Sequence, residues 1–195
     1  EGKHSVLDMF WLYPEDDYDS PKPMPLDYGC IGATNATFRT GWGDDDLFAG
    51  IHYGKNAVCH GHWDMGQFII EYKNKRFFSD LGADNYNLPS YGTCYRHVTE
   101  GHNTIMINSG VKATEQKRSG ETYVSSYKST GEQAFAVADM SSAYEGATVI
   151  RGIKLIRNDF AVILQDHIKT KRETDNVFWF GHTKSSVEIS QDGRT

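Results

Sequence analysis

Residues 59–108 read CHGHWDMGQFIIEYKNKRFFSDLGADNYNLPSYGTCYRHVTEGHNTIMIN, and the fold turns on how this stretch is read. It opens with His60-Gly61-His62-Trp63-Asp64-Met65-Gly66. On an extended strand, residues two apart share a face, so His60, His62 and Asp64 are expected to project to one side. A lone HxH is a weak signal, because two histidines that close recur by chance. Two later residues strengthen it, Asp80 and His102, each at the edge of its own β-like run. Two imidazoles and a carboxylate form a common zinc set whose fourth position goes to water or substrate. Calcium and magnesium favour an all-oxygen shell, which two histidines do not offer.

Outward from this stretch, nearly everything from Thr34 onward reads as strand. Residues 68–72 and 76–80 flank Lys73-Asn74-Lys75, a short hairpin connection. Residues 34–42 and 47–53 are β-rich and are separated by Gly43-Asp44-Asp45-Asp46, a turn composition. Further runs follow at 102–108, 122–129, 134–139, 148–156, 160–168 and 177–182, most of them separated by Gly, Asn, Asp or Ser. Many short strands at such intervals predict an all-β fold, an antiparallel sandwich or barrel. At the far end 186–190 alternates like a strand and runs into Asp192-Gly193, a hairpin signal whose return strand is absent. The expectation is a sandwich truncated at its C-terminus, with an exposed edge that promotes self-association.

The first thirty residues differ. Apolar positions Val6, Leu7, Phe10 and Trp11 fall at helical spacing, like the tail of a helix. A segment with four of the chain's five prolines and a cluster of acids follows and reads as a linker. The chain begins at Glu1 and carries no recognisable signal peptide, so it is expected to be a piece of something longer. At 195 residues it suffices for one core, and no run approaches the ~18 apolar residues of a membrane span. A net charge of −6 argues against nucleic acid as the main partner. It accommodates an anionic sugar only where basic groups gather in the cleft. The three cysteines, Cys30, Cys59 and Cys94, show no CxxC spacing and are compatible with one disulfide or with buried free thiols.

Two metal-site patterns fail on the same letters. The metallo-β-lactamase motif H-x-H-x-D-H meets Met65 where its last histidine belongs, and a cupin needs a glutamate much nearer to His62 than Glu71. Over its whole length the stretch instead resembles the β-sandwich domain of the heparinase II/III-like polysaccharide lyases. Four elements arrive in that family's order: the H-x-H-x-D-x-G segment, the hairpin ending in Asp80-Leu81-Gly82, the aromatic-rich loop, and His102-Asn103-Thr104. The resemblance implies that 1–33 is a helix end and linker from an α-helical toroid and that 34–195 is the sandwich.

The resemblance also implies roles. His62, Asp80 and His102 would hold a divalent metal, zinc by ligand type. His60 would lie in the substrate cleft and take part in β-elimination on a uronate-containing polysaccharide, of heparan sulfate or alginate type. Its alternative is a partner that orients the metal ligands. Tyr95 and Arg96, in the loop with Tyr91 and His97, are candidate substrate contacts, by stacking and by carboxylate pairing. Asp64 is expected beside the metal without ligating it, and His182 near the cleft. The catalytic Tyr and Asn of such lyases belong to the toroid, so this piece alone is expected to have little activity. The class implies a bacterial periplasmic or secreted location. A different reading keeps the metal as a structural element of a non-catalytic carbohydrate-binding module.

Overall fold

A computed structural model describes residues 24–89, 91–108 and 113–191. The expected helix tail at 4–13, most of the linker and the Asp192-Gly193 turn lie outside these residues. Thirteen strands run in chain order: β1 (Asn35–Arg39), β2 (Leu47–His52), β3 (Gly54–Lys55), β4 (Phe68–Tyr72), β5 (Lys75–Phe78), β6 (Ile105–Asn108), β7 (Ala113–Thr114), β8 (Glu121–Thr122), β9 (Ser126–Ser129), β10 (Gln133–Asp139), β11 (Thr148–Ile156), β12 (Ala161–Lys169) and β13 (Asn176–Trp179). Two four-stranded sheets, ordered β1-β2-β4-β5 and β12-β11-β10-β9, carry the architecture, with β13-β6-β7 and β3-β8 as smaller sheets. Every described pairing is antiparallel, so the fold is the expected all-β sandwich.

Alternation explains the layers. In β10 the small residues Ala134, Ala136 and Ala138 are buried, and in β11 Val149, Arg151, Ile153 and Leu155 are buried. They meet Phe38, Ala49 and Ile51 from the first sheet in one hydrophobic cluster. Alanines on one face let the large side chains of the other approach closely, as two sheets packed face to face require. The hairpin between β4 and β5 pairs Tyr72 with Lys75, so the connection is the two residues Lys73 and Asn74, with φ of 52° and 56°. Positive φ at both central positions is the type I′ turn, whose twist matches that of the strands.

Several expected bounds shift. The run 148–156 is β11 itself, whereas 122–129 is interrupted between β8 and β9. Val124 N donates to Ala33 O and Ser125 N to Val137 O there, so the chain passes from one neighbour to another. Residues 186–190 form no strand: Val187 and Ile189 are 68% and 78% exposed. The strand edge from which self-association was expected therefore does not form at that segment. The cysteines are free, but Cys30 and Cys59 are exposed and Cys94 half-buried, so the buried-thiol expectation fails.

The segment before β1 is clasped to the second sheet. Arg157, just beyond β11, reaches Asp27 through Nη2 at 2.6 and 2.5 Å, and both side chains are more than nine-tenths buried. The same guanidinium donates to Arg39 O and Thr130 O. Removing one partner of a buried pair leaves an uncompensated charge, at a cost of about 3 to 5 kcal/mol. Asp27→Ala is expected to lower the urea midpoint accordingly, and Asp27→Ala with Arg157→Met to recover much of the loss. An Asp27→Ala midpoint equal to that of the parent chain would refute the clasp.

Candidate functional site, an imidazole and carboxylate cluster beside a cleft

The HxHxD segment is not a strand. Residues 59–67 form a looped turn between β3 and β4, with His60 at φ 61° and Gly66 at φ 83°. The single-face expectation for His60, His62 and Asp64 is thereby overturned, because a residue in the left-handed region reverses the chain locally. His60 turns to the solvent side, where its Nδ1 lies 2.9 Å from Tyr86 Oη. His62 turns inward, its ring centroid 5.2 Å from that of His102 and 5.1 Å from that of His97. Asp64 lies 3.8 Å from His52 Nε2, and its charge also acts on His62, favouring the protonated imidazole.

The loop is held by its backbone. Met65 N donates to Gln116 Oε1, and Met65 O accepts from Gln116 Nε2 and Thr104 Oγ1. Gly66 N donates to His52 O, Gly66 O accepts from Arg151 Nη1, and Trp63 N donates to His97 O. A side chain at Gly66 would strike Met140 Sδ at 2.5 Å, so both space and positive φ require glycine there.

His102 is 1% exposed, and its Nδ1 lies 2.9 Å from Asp80 Oδ2. Asp80 Oδ1 accepts from Gly82 N. Burial pushes the Asp80 carboxyl up, but hydrogen bonds from His102 and Gly82 together with the neighbouring imidazoles outweigh it, and its pKa is lowered. Asn103 secures the neighbouring backbone. It is fully buried, its N donates to Gln67 Oε1, its Nδ2 to Phe68 O, and its Oδ1 accepts from His182 N. The expected ligands His62, Asp80 and His102 thus do come together.

As they stand, no group of three or more His, Cys, Asp or Glu among the described residues is arranged to hold a metal ion. Both Asp80 oxygens are engaged by hydrogen bonds, from Gly82 N and with His102 Nδ1. The donor chemistry nevertheless suits zinc. His102 Nε2 is buried without a hydrogen-bond partner. A carboxylate on the opposite nitrogen sets the tautomer that leaves a lone pair there, with a second imidazole adjacent.

His60 lines a cleft of about 480 Å³ together with Trp63, Tyr86 and His97. Tyr95 and Arg96 lie apart from that lining: Tyr95 Oη is 3.2 Å from His182 Nε2, and Arg96 Nε is 3.7 Å from Asp84. Sequence reasoning missed Tyr86, Gln116 and Arg151, and it left His97 without a role. Arg151 had a legible signal, a charge at an inward position of the alternating strand TVIRGIKLI.

Comparison with known proteins agrees with this architecture. The chain matches the family described as Heparinase II/III-like, C-terminal, over residues 47–195, and it belongs to that family. Among solved structures, it is similar to Heparinase III, the BT4657 gene product, at 17% identity and a TM-score of 0.60, covering 77% of this chain and 23% of that one. It is also similar to heparan sulfate lyase HepC from Pedobacter heparinus, at 16% identity and a TM-score of 0.59, covering 69% and 21%. The likeness at such identity is one of fold, and the chain spans about a fifth of the length of these structures. No curated protein matches.

Burial, and then the neighbouring His102, hold the pKa of both His62 and His182 below the ordinary histidine value of 6.5. The fold therefore disfavours their charged forms, and the unfolded chain takes up protons first as pH falls through that value. Stability from this source is complete above it and declines below it. Asp80, its pKa lowered, loses its contribution only at far lower pH. Metal-free protein is expected to melt at a lower temperature near pH 5.5 than near pH 7.5, with His62→Gln narrowing the difference. Equal melting temperatures in the two buffers would refute this account.

Proposed function

We propose that this chain is the β-sandwich part of a polysaccharide lyase that cleaves uronic-acid-containing glycans, of heparan sulfate or alginate type, by β-elimination. The observation that carries the reading is His60, turned out by its positive φ onto the rim of an open cleft, hydrogen-bonded to Tyr86 and backed by the imidazole cluster. Membership of the heparinase II/III-like family supports it.

β-Elimination makes three demands. The uronate carboxylate must be neutralised so that the C5 proton becomes acidic, a base must remove that proton, and an acid must protonate the departing O4 oxygen. An imidazole facing the cleft suits the first task as a charged partner of the carboxylate, or the second as a proton acceptor. Tyr86 orients the ring through Nδ1, and the other ring nitrogen takes no partner among the described residues. The remaining acid and base come from the helical toroid of the longer parent architecture. Tyr95 and Arg96 form an outer substrate surface.

Zinc is the proposed metal, held by His62 and His102 with Asp80, and when bound it supplies folding energy by tying the 59–67 loop to the segment before β6. None of these three residues lines the cleft beside His60, which favours a second reading, a non-catalytic metal-stabilised carbohydrate-binding module. The two readings part at His60, which only the lyase needs for turnover. The class implies a bacterial periplasmic or secreted setting.

Elemental analysis of protein prepared without chelator is expected to find about one zinc per chain, lost in His62→Ala and Asp80→Ala. No metal in the parent protein would remove the zinc proposal.

The 195-residue chain alone is expected to release unsaturated uronate product at background rate. In the parent enzyme, His60→Ala should lower kcat by roughly a hundred- to ten-thousandfold, the usual worth of a positioned acid or base. Full turnover by that variant would leave the binding-module reading.

A further inference from the structure

The chain carries 26 acidic against 20 basic residues, yet among the described residues no carboxylate lines the cleft beside His60. Its basic lining groups are His60, His97 and Arg118, and its aromatic walls are Trp63 and Tyr86. Arg118 is exposed, and among the described residues no hydrogen bond or ion pair engages it. The acids nearest to it in sequence or across its turn already have partners: Glu115 Oε2 accepts from Thr99 N at 2.8 Å, Glu121 Oε1 sits 2.9 Å from Lys55 Nζ, and Glu145 Oε2 sits 2.6 Å from Lys117 Nζ.

The backbone beneath Arg118 is fixed in place. Gly120 N donates to Lys117 O, closing the turn, and Lys117 N donates to Ala143 O. Asn56, itself a lining residue, donates from its backbone N to Gly120 O and from Nδ2 to Lys117 O. A side chain at Gly120 would meet Ala143 Cα at 2.9 Å, so the turn lies flat against the segment that follows β10. A guanidinium left unpaired on a rigid turn, at the rim of a cleft free of carboxylates, is a placed anion receptor: its planar fork matches a carboxylate or sulfate with two parallel hydrogen bonds.

We propose that Arg118 is the anion anchor of this cleft, binding the carboxylate or sulfate of an acidic sugar whose ring lies between Trp63 and Tyr86. The inference rests on the polysaccharide reading above and deepens it, since it makes acidic glycan recognition a local property of the cleft within a chain of opposite overall charge. Local field, not net charge, governs the capture of a charged ligand in a walled cleft.

The test is equilibrium binding of three tetrasaccharides to the 195-residue chain by calorimetry: heparosan, which has carboxylates alone, heparan sulfate, which adds sulfates, and neutral cellotetraose. Arg118→Gln is expected to weaken acidic binding by about tenfold or more, the loss of one charge-assisted pair, and Arg118→Lys by less. The salt dependence of binding should flatten in Arg118→Gln. A loss seen with heparosan identifies the carboxylate as the bound group, and a loss confined to heparan sulfate identifies the sulfate. Melting temperatures of both variants should match the parent chain, since the side chain has no partner to lose. If the parent chain binds the acidic tetrasaccharides and Arg118→Gln binds them equally, the anchor is refuted while the lyase reading stands. If the folded 195-residue chain binds neither, the anchor is refuted too, while the lyase reading is decided separately by turnover of the longer enzyme and its His60→Ala variant.

Discussion

The site depends on one buried cation. Arg151 sits at an inward position of β11 and is fully buried, directly opposite Asp166 on β12, with which it forms a two-pronged pair at 2.7 and 2.9 Å. Its remaining nitrogen crosses the sandwich to Gly66 O at 2.8 Å and Asn103 O at 3.1 Å. Those carbonyls belong to the two segments that carry His62 and His102. Desolvating such a pair costs several kcal/mol, which its own Coulomb attraction only roughly repays. What the pair secures is arrangement: with the guanidinium in place, the loop and the segment before β6 have one way to lie against the second sheet.

Around that cation the polar groups interlock. Gln116 takes Met65 N and Asn56 Nδ2 on its oxygen, and offers its amide to Met65 O, Thr104 Oγ1 and Tyr144 Oη. Burial pushes the Tyr144 hydroxyl up to about 12, so it stays neutral and donates to Ile105 O. A network in which each buried group has a partner rigidifies a core, and a partner missing from it is costly. Beside it lies His102 Nε2, one of several buried polar atoms with no hydrogen-bond partner among the described residues, its ring 5.2 Å from that of His62.

Electrostatics separates two regions a few residues apart. His62, on the inner side, is held toward the neutral state by burial and by the neighbouring His102. The outer cleft gathers Arg118 and two histidines without a carboxylate. One turn of chain, His60 to His62, divides them: with His60 at a left-handed φ, His60 lines the cleft and His62 packs beside His102.

Strand periodicity alone determined the fold class. The alternation in 148–156 and 134–139 survives because each strand buries a single face, and a two-residue period can be satisfied in no other way. The order of His62, Asp80-Leu81-Gly82 and His102-Asn103-Thr104 likewise named the residues that meet. Tertiary structure decided the rest. The HxHxD segment alternates as a strand would, but Gly66 and the carbonyl ties to Arg151 and His52 bend it into a loop. The 186–190 run alternates too, yet finds no partner strand among the described residues. The alternation of 148–156 showed that Arg151 points inward but not what it touches, and Tyr86 and Arg118 gave no local sign of the cleft they line, because a contact made at sequence separation leaves no local pattern to read.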